Sequence, residues 1–259
     1  MLAFHQFYNS YGQHQFLPVI FDEVDSGLHF HKNCEIIYVI KGEAYCEVNK
    51  KGKIIREGDF ALFLSNEIHD IKTLEGGRIW IAVFSEDFIN EFVKSLNGRT
   101  GADFTFRCEE PLYSYLMQNM IEASKPSIFA LKSCLYAVCE NYLKANRLVE
   151  GNKMSSIISD ILSYIEKNYK SSISLSDISK SLGYEYCYFS KNFKKLFSMN
   201  FSDYLNLYRF NEACALIVKK ELSMIEVACE SGFKSVRNFN YIFKKLAGIS
   251  PSEYAKRLM

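Results

Sequence analysis

Between His29 and Glu35 the chain reads His-Phe-His-Lys-Asn-Cys-Glu, and a third imidazole, His69, follows some forty residues later. On a strand, His29 and His31 point to the same face, because side chains alternate with period two. Imidazole nitrogens and a carboxylate are the donors that a first-row divalent transition metal takes. His29, His31, Glu35 and His69 are therefore candidate metal ligands. The same groups, hydrogen-bonded to one another, would equally line a pocket for a small-molecule effector. In that case Tyr38 and Trp80, with Phe30 and Tyr45, are candidate apolar or stacking walls. The residues alone leave both readings open.

Groups of this kind need strands to hold them. Residues 36–40, 44–48, 60–64 and 79–84 are β-branched or aromatic runs separated by Gly42, Gly52, Gly58 and the pair Gly76 and Gly77. Short strands at regular spacing predict a barrel or jelly roll. A helix is expected over 85–96, with Ser85 as its cap and Glu86 and Asp87 in its first turn. Apolar residues then recur at three to four (Leu112, Tyr115, Leu116, Met120), Pro126 breaks the pattern, and 129–143 forms a second apolar helix. Two such helices would cover the open face of the barrel or form a dimer seam. Residues 148–153 read as a short polar linker, and 155–169 as the first helix of another domain.

From Ser174 to Tyr254 the chain states one pattern twice. Gly183 and Tyr184 are followed by Phe189, by Phe193, Lys194, Lys195 and Leu196, and by Ser202, Asp203 and Tyr204. Gly232 and Phe233 are followed by Phe239, by Phe243, Lys244, Lys245 and Leu246, and by Ser252, Glu253 and Tyr254. The second copy carries one extra residue in its turn. Ser174 with Asp177, and Ser223 with Glu226, fit the box of a hydroxyl followed three residues on by a carboxylate. Asn200 with Asp203, and Ser250 with Glu253, repeat it, and Pro251 suits a first helical position. Helix, glycine turn, helix is the order of a helix-turn-helix.

Phase separates the two faces of each second helix. Phe189, Phe193 and Leu196 fall inward, as do Phe239, Phe243 and Leu246. Cys187, Ser190, Lys191, Lys194 and Lys195 fall outward in the first copy, and Val236, Arg237, Asn240, Tyr241, Lys244 and Lys245 in the second. Amides and cations bond base edges and phosphates, so these are the candidate DNA-binding residues. Ser190, Arg237 and Asn240 are the picks for base edges, and the lysines for phosphate. The helix between the copies, from Phe201 to about Lys220, is roughly 30 Å long at 1.5 Å per residue. That is close to one turn of DNA, about 34 Å.

The last hundred residues resemble the DNA-binding domain of the AraC/XylS family of bacterial transcription regulators. The resemblance rests on Gly183, Tyr184, Phe193, Lys194, Lys195, Tyr204, Arg209 and Ala213. In the second half it rests on Ile225, Val227, Ala228, Gly232, Phe233, Phe239, Asn240, Phe243, Lys244, Lys245, Gly248, Ile249, Ser250, Pro251 and Tyr254. Ser198 stands where the family usually has glycine, Lys191 where arginine is common, and Tyr241 where a basic residue is frequent. The earlier run His29-x-His31-x3-Glu35-x6-Gly42 resembles the first motif of cupins; the second is only partly met, with Leu64 and Ser65 near a usual proline. These resemblances imply a cupin-like sensor opening with an N-terminal arm up to Pro18, and dimerisation through one of the following helices.

The chain has 259 residues, 48% hydrophobic and 24% charged, which suits two folded domains. Residues 152–259 hold 16 Lys and Arg against 10 Asp and Glu, and residues 1–151 hold 15 against 20. A basic module following an acidic one fits nucleic-acid binding by the first and another task by the second. No apolar run reaches the roughly 18 residues of a membrane span, and the first residues lack the pattern of a signal peptide. A cytoplasmic, nucleoid-associated bacterial protein is expected. The eight cysteines show no C-x-x-C and no zinc spacing, so they are expected as reduced thiols.

The fold expected is α+β: an N-terminal cupin-like or jelly-roll-like β-barrel with helices, then an all-α domain of two helix-turn-helix motifs joined by a linker helix. Residues 1–147 are assigned to effector binding and dimerisation, 148–153 to the linker and 154–259 to DNA binding. The function expected is a non-enzymatic, sequence-specific transcription regulator governed by a small-molecule effector, with a sugar as one option. Its expected partners are double-stranded DNA, a second copy through the N-terminal domain and, for an activator, RNA polymerase, with no membrane. The alternatives are a metal-dependent cupin enzyme fused to a DNA-binding domain and a constitutive regulator whose N-terminal domain serves only dimerisation or protein partners.

Overall fold

The computed structural model describes residues 3–6 and 15–257. They divide after Ser159 into two compact units.

The first unit is built on short strands. In chain order they are β1 (Phe4–His5), β2 (Phe16–Phe21), β3 (His29–Phe30), β4 (Cys34–Lys41), β5 (Glu43–Val48), β6 (Lys51–Arg56), β7 (Asp59–Phe63), β8 (His69–Thr73) and β9 (Arg78–Phe84). After α1 (Asn90–Leu96) come β10 (Arg99–Gly101), β11 (Thr105–Arg107), α2 (Leu112–Leu116), α3 (Ile128–Ala145) and β12 (Leu148–Glu150). One five-stranded sheet has the order β1-β3-β8-β5-β6 and the other β11-β7-β4-β9-β2. Both are antiparallel apart from the β1–β3 pair.

β4 explains the layering. Its sequence is apolar almost throughout and both of its faces are buried, as a central strand between two layers requires. Ile37 and Val39 join Ala44, Cys46, Ile55, Phe63, Ile71, Ile79 and Ile81 in one core. Cys34, Ile36 and Tyr38 face the other way, where Trp80, Ala82 and Phe84 meet Leu131, Cys134, Leu135, Val138 and Tyr142 of α3. The helices after the barrel thus cover a sheet face, one of the two uses open to them.

Four local expectations are corrected. Residues 85–96 are not one helix: a 3-10 turn over Glu86–Phe88 is separated from α1 by Ile89. The Ser85 hydroxyl accepts from the Gln15 amide instead of capping. Residues 148–150, expected in a polar linker, are β12, paired residue for residue with β10. Of the expected arm, residues 1, 2 and 7–14 lie outside the described residues, and Phe16, Leu17 and Pro18 are strand, paired to β9.

α4 (Lys153–Asn168) leads into the second unit, which continues with α5 (Leu175–Ser181), α6 (Tyr186–Phe197), α7 (Phe201–Lys219), α8 (Met224–Glu230), α9 (Val236–Ala247) and α10 (Pro251–Arg257). The caps fall where the sequence puts them. Ser174 and Ser223 form full capping boxes with Asp177 and Glu226. Asn200 accepts from the Asp203 amide, and Ser250 exchanges bonds with Glu253. Gly183 and Gly232 make the turns at φ 73° and 85°. Phe193 packs on Phe197 and Tyr204 at ring separations of 4.4 and 5.7 Å. In the second copy Phe243 meets Phe210, Phe239 and Tyr254.

The buried Arg209 side chain of α7 donates to the carbonyls of Tyr169 and Ser171 at 2.7–2.9 Å. A Cβ placed on Gly232 would meet that same Tyr169 carbonyl at 2.7 Å and Lys170 Cα at 2.9 Å.

Candidate nucleic-acid interface and buried histidine cluster

α6 and α9 bury matching stripes and expose matching faces. Phe189, Phe193, Leu196 and Phe197 are buried on α6, and Phe239, Ile242 and Phe243 on α9. Leu246, expected inward, is 41% exposed, and Ile242 fills the apolar stripe in its place. On the outer faces Cys187, Lys191, Lys194, Lys195, Val236, Arg237, Asn240, Tyr241, Lys244 and Lys245 are exposed, and Ser190 is half-buried. Each helix ends in basic residues, Lys194 and Lys195 on α6 and Lys244 and Lys245 on α9, where the helix dipole favours cations.

The starts of these helices carry groups that the sequence reading passed over. Glu185 caps α6, accepting from the amides of Cys187 and Tyr188 at 2.9 and 2.8 Å. Those two bonds hold its carboxyl below the usual carboxylate range. Ser235 caps α9, accepting from the Asn238 amide. Tyr186 and Tyr188 are exposed beside Cys187. Aligning the copies from the recognition-helix phenylalanines would have paired Glu185 with Ser235 and Tyr188 with Asn238. Glu185 also pushes the Cys187 thiol above its ordinary range, which opposes a reactive thiolate on this face.

In the first unit, ligand atoms of His29, His31, Glu35 and His69 lie within 4.8 Å of one another, and all four residues are buried. The strands bring them together: His29 pairs with His69 across β3 and β8, and Glu35 points inward from β4. Each ring has its Nδ1 set 2.8 Å from a main-chain carbonyl: His29 on Gly27, His31 on Asn33 and His69 on Glu67. A carbonyl only accepts, so every Nδ1 carries its proton, and the Nε2 of a neutral ring keeps a lone pair. Oε2 of Glu35 lies 2.8 Å from Nε2 of His31 and 3.4 Å from Nε2 of His69, and among the described residues the latter makes no hydrogen bond. Burial, with His69 beside it, pushes His29 down to about 3. Three oriented imidazoles and a carboxylate are the donor set that a first-row divalent cation takes, and the four residues fit one.

Tyr38 and Trp80 do not share a pocket with that cluster. Glu35 and Tyr38 are three residues apart on one strand and so face opposite ways; Tyr38 bonds Tyr113 on the side of α3, where Trp80 also lies. Phe30 is buried, whereas Tyr45 faces out and donates to Glu47. A cavity of about 230 Å³ lies elsewhere in this unit, lined by Asn49, Lys51, Glu67, Thr100, Asp103 and Asn152 among others.

Comparison with known proteins follows these two halves. Residues 169–257 match the model of a helix-turn-helix domain, and residues 22–81 that of a cupin domain. The transcriptional activator AarP of Providencia stuartii is 37% identical over 100 residues, which are 39% of this chain and 74% of AarP. This chain belongs to the AraC family of transcription regulators. A regulator of Bacillus subtilis, YdeC, is 21% identical over 252 residues, 88% of this chain and 86% of that protein. The melibiose operon regulatory protein of Escherichia coli is 26% identical over 99 residues, which are only 33% of its length. Among solved structures, ToxT of Vibrio cholerae bound to an unsaturated fatty acid is similar in fold, with a TM-score of 0.53 and 17% identity over 95% of this chain and 97% of that one. The AraC-family regulator is thus a mixed α+β protein, a cupin domain followed by a DNA-binding helical domain. Among its described residues no helix is long and apolar enough to cross a membrane.

Proposed function

We infer that this AraC-family regulator binds a specific duplex site through α6 and α9, and that an effector bound in the N-terminal unit governs that binding. The single observation that carries the reading is the duplicated helix-turn-helix with its two exposed polar faces. Residues 154–259 are the DNA-binding part and 1–147 the effector and dimerisation part, with β12 and the residues up to Lys153 between them. Cys187, Ser190, Lys191, Lys194, Lys195, Val236, Arg237, Asn240, Tyr241, Lys244 and Lys245 are the contact set. The unit with the cupin match senses and does not catalyse; the named relatives being regulators supports this. Dimerisation through α3 is supported by Phe129, 81% exposed, with Ile128 and Tyr136 also exposed. RNA polymerase is a partner if the chain activates, and the place of action is the cytoplasm, at the nucleoid. Coupling requires that the effector bind one arrangement of the protein better than another.

The ToxT structure with its fatty acid supports an organic effector within this fold. The buried cluster favours a second reading of the sensor, with a divalent transition metal held by His29, His31, Glu35 and His69. There the metal would supply positive charge to lone pairs and a carboxylate that otherwise oppose each other.

Site selection from genomic fragments with the purified chain, followed by a salt titration, tests the regulator reading. Strong preference for a paired site with a steep salt slope is the expected result. Equal, weak binding to all sequences, with or without candidate effectors, would overturn it.

A further inference from the structure

α6 and α9 follow one plan but differ at the end that reaches bases. Between Gly183 and Phe189 the charged residue is Glu185; between Gly232 and Phe239 the charged residues are Lys234 and Arg237. The first copy regains one cation at Lys191, where the second has Tyr241, and both end on a lysine pair. The helix starts therefore differ in sign, in modules that otherwise share caps, turns and buried phenylalanines.

Glu185 is fixed in place. Each of its carboxylate oxygens accepts a main-chain amide of α6. A recognition helix enters the major groove by its N-terminal residues, between two rows of phosphates. An anion held there is repelled by those phosphates. Turning to accept from a cytosine amino group would require giving up the cap. Ser235 places no charge at the equivalent point and leaves Arg237 free to reach a guanine.

We propose that Glu185 divides the labour of the two motifs: α9 anchors the protein and reads sequence, while α6 engages DNA weakly and depends on α9 being seated. This rests on the DNA-facing assignment above. It makes Glu185 a residue that sets affinity without contacting a base.

The reciprocal exchange tests it. Glu185→Ser gives copy one the cap that copy two already uses, so the helix start is retained; Glu185→Gln removes the charge at constant size. Both are made in the full chain and titrated on the selected site at several salt concentrations. Glu185→Ser is expected to bind about fivefold more tightly near 0.1 M salt, with a steeper salt slope. Ser235→Glu is expected to loosen binding by a similar factor. In the unmodified chain, base changes under α9 should cost more than those under α6, and Glu185→Ser should narrow that gap. Unchanged or weaker binding by Glu185→Ser and Glu185→Gln would overturn the proposal. So would loss of a preference for cytosine at one position, which would make Glu185 a base reader. If the unmodified chain selects no site at all, the DNA-facing assignment fails and this inference falls with it.

Discussion

Nε2 of His31 stands 2.8 Å from Oε2 of Glu35, with both residues sealed from solvent and the other ring nitrogen committed to the Asn33 carbonyl. A neutral ring in that orientation sets a lone pair against a carboxylate. Something positive must lie between them, a proton or a metal ion. The orphaned Nε2 of His69 on the same oxygen favours the ion. Protein purified without affinity metals should therefore carry about one equivalent of a first-row divalent metal per chain, measured by elemental analysis. Metal at a hundredfold its Kd would add about 3 kcal/mol to the stability of this unit, so a chelator should lower its melting temperature. His69→Ala should abolish both effects; full metal content in that variant would place the ion elsewhere.

Two residues on the outer face of α9 should respond differently to truncation. Arg237→Ala is expected to relax base preference at one position and cost about 1–3 kcal/mol on the best site. Lys244→Ala should weaken binding to every sequence and flatten the salt slope by about 0.9. Paired titrations on selected and random duplexes decide between these behaviours. Equal losses on both duplexes for Arg237→Ala would remove it from the base-reading set.

Ser198 ends α6 in the left-handed region at φ 56°, where the equivalent Gly248 ends α9 at φ 76°. A serine held there costs about 1 kcal/mol relative to glycine. Ser198→Gly should raise stability by that amount in chemical denaturation, leaving the outer face of α6 unchanged. No gain would mean that local bonds of the serine offset the backbone cost.

The turn glycines should not be equally tolerant. Alanine at Gly183 would meet no atom within 4 Å and bears only the cost of φ 73°. Alanine at Gly232 bears φ 85° and a Cβ against the main chain of Tyr169 and Lys170. Gly183→Ala is expected to cost about 1 kcal/mol and Gly232→Ala at least twice that, compared by urea melts. Equal losses would show that the loop at 169–171 yields easily.

Much of this could be read from the chain because its signals are local. The caps at Ser174, Ser223, Asn200 and Ser250 need only a few neighbouring residues, and the phenylalanine stripes need only helical period. The meeting of His29, His31, Glu35 and His69 follows from strand alternation plus one non-local pairing, β3 on β8. Where the reading failed, distant partners decide. Leu148–Glu150 is too short and mixed to announce a strand, and becomes one only because Arg99–Gly101 lies alongside. Ser85 resembles a helix cap until Gln15 takes its hydroxyl. Tyr38 was drawn toward the histidines by its chemistry, although three residues from Glu35 on a strand already place it on the other side. Glu185 was passed over because a carboxylate is an unusual choice where DNA is expected.

The tie from Arg209 to the carbonyls of Tyr169 and Ser171, with Gly232 closing on the same strip of backbone, bears on how this part of the chain comes apart. The helix between the motifs and the turn of the second motif both hold the segment that precedes the first. Neither motif can melt alone without releasing contacts that the other needs. The pair should unfold in one cooperative transition, and hydrogen exchange at the cores of α6 and α9 should share a single opening free energy despite their separation along the sequence. A lesion at Arg209 would then weaken both recognition helices at once.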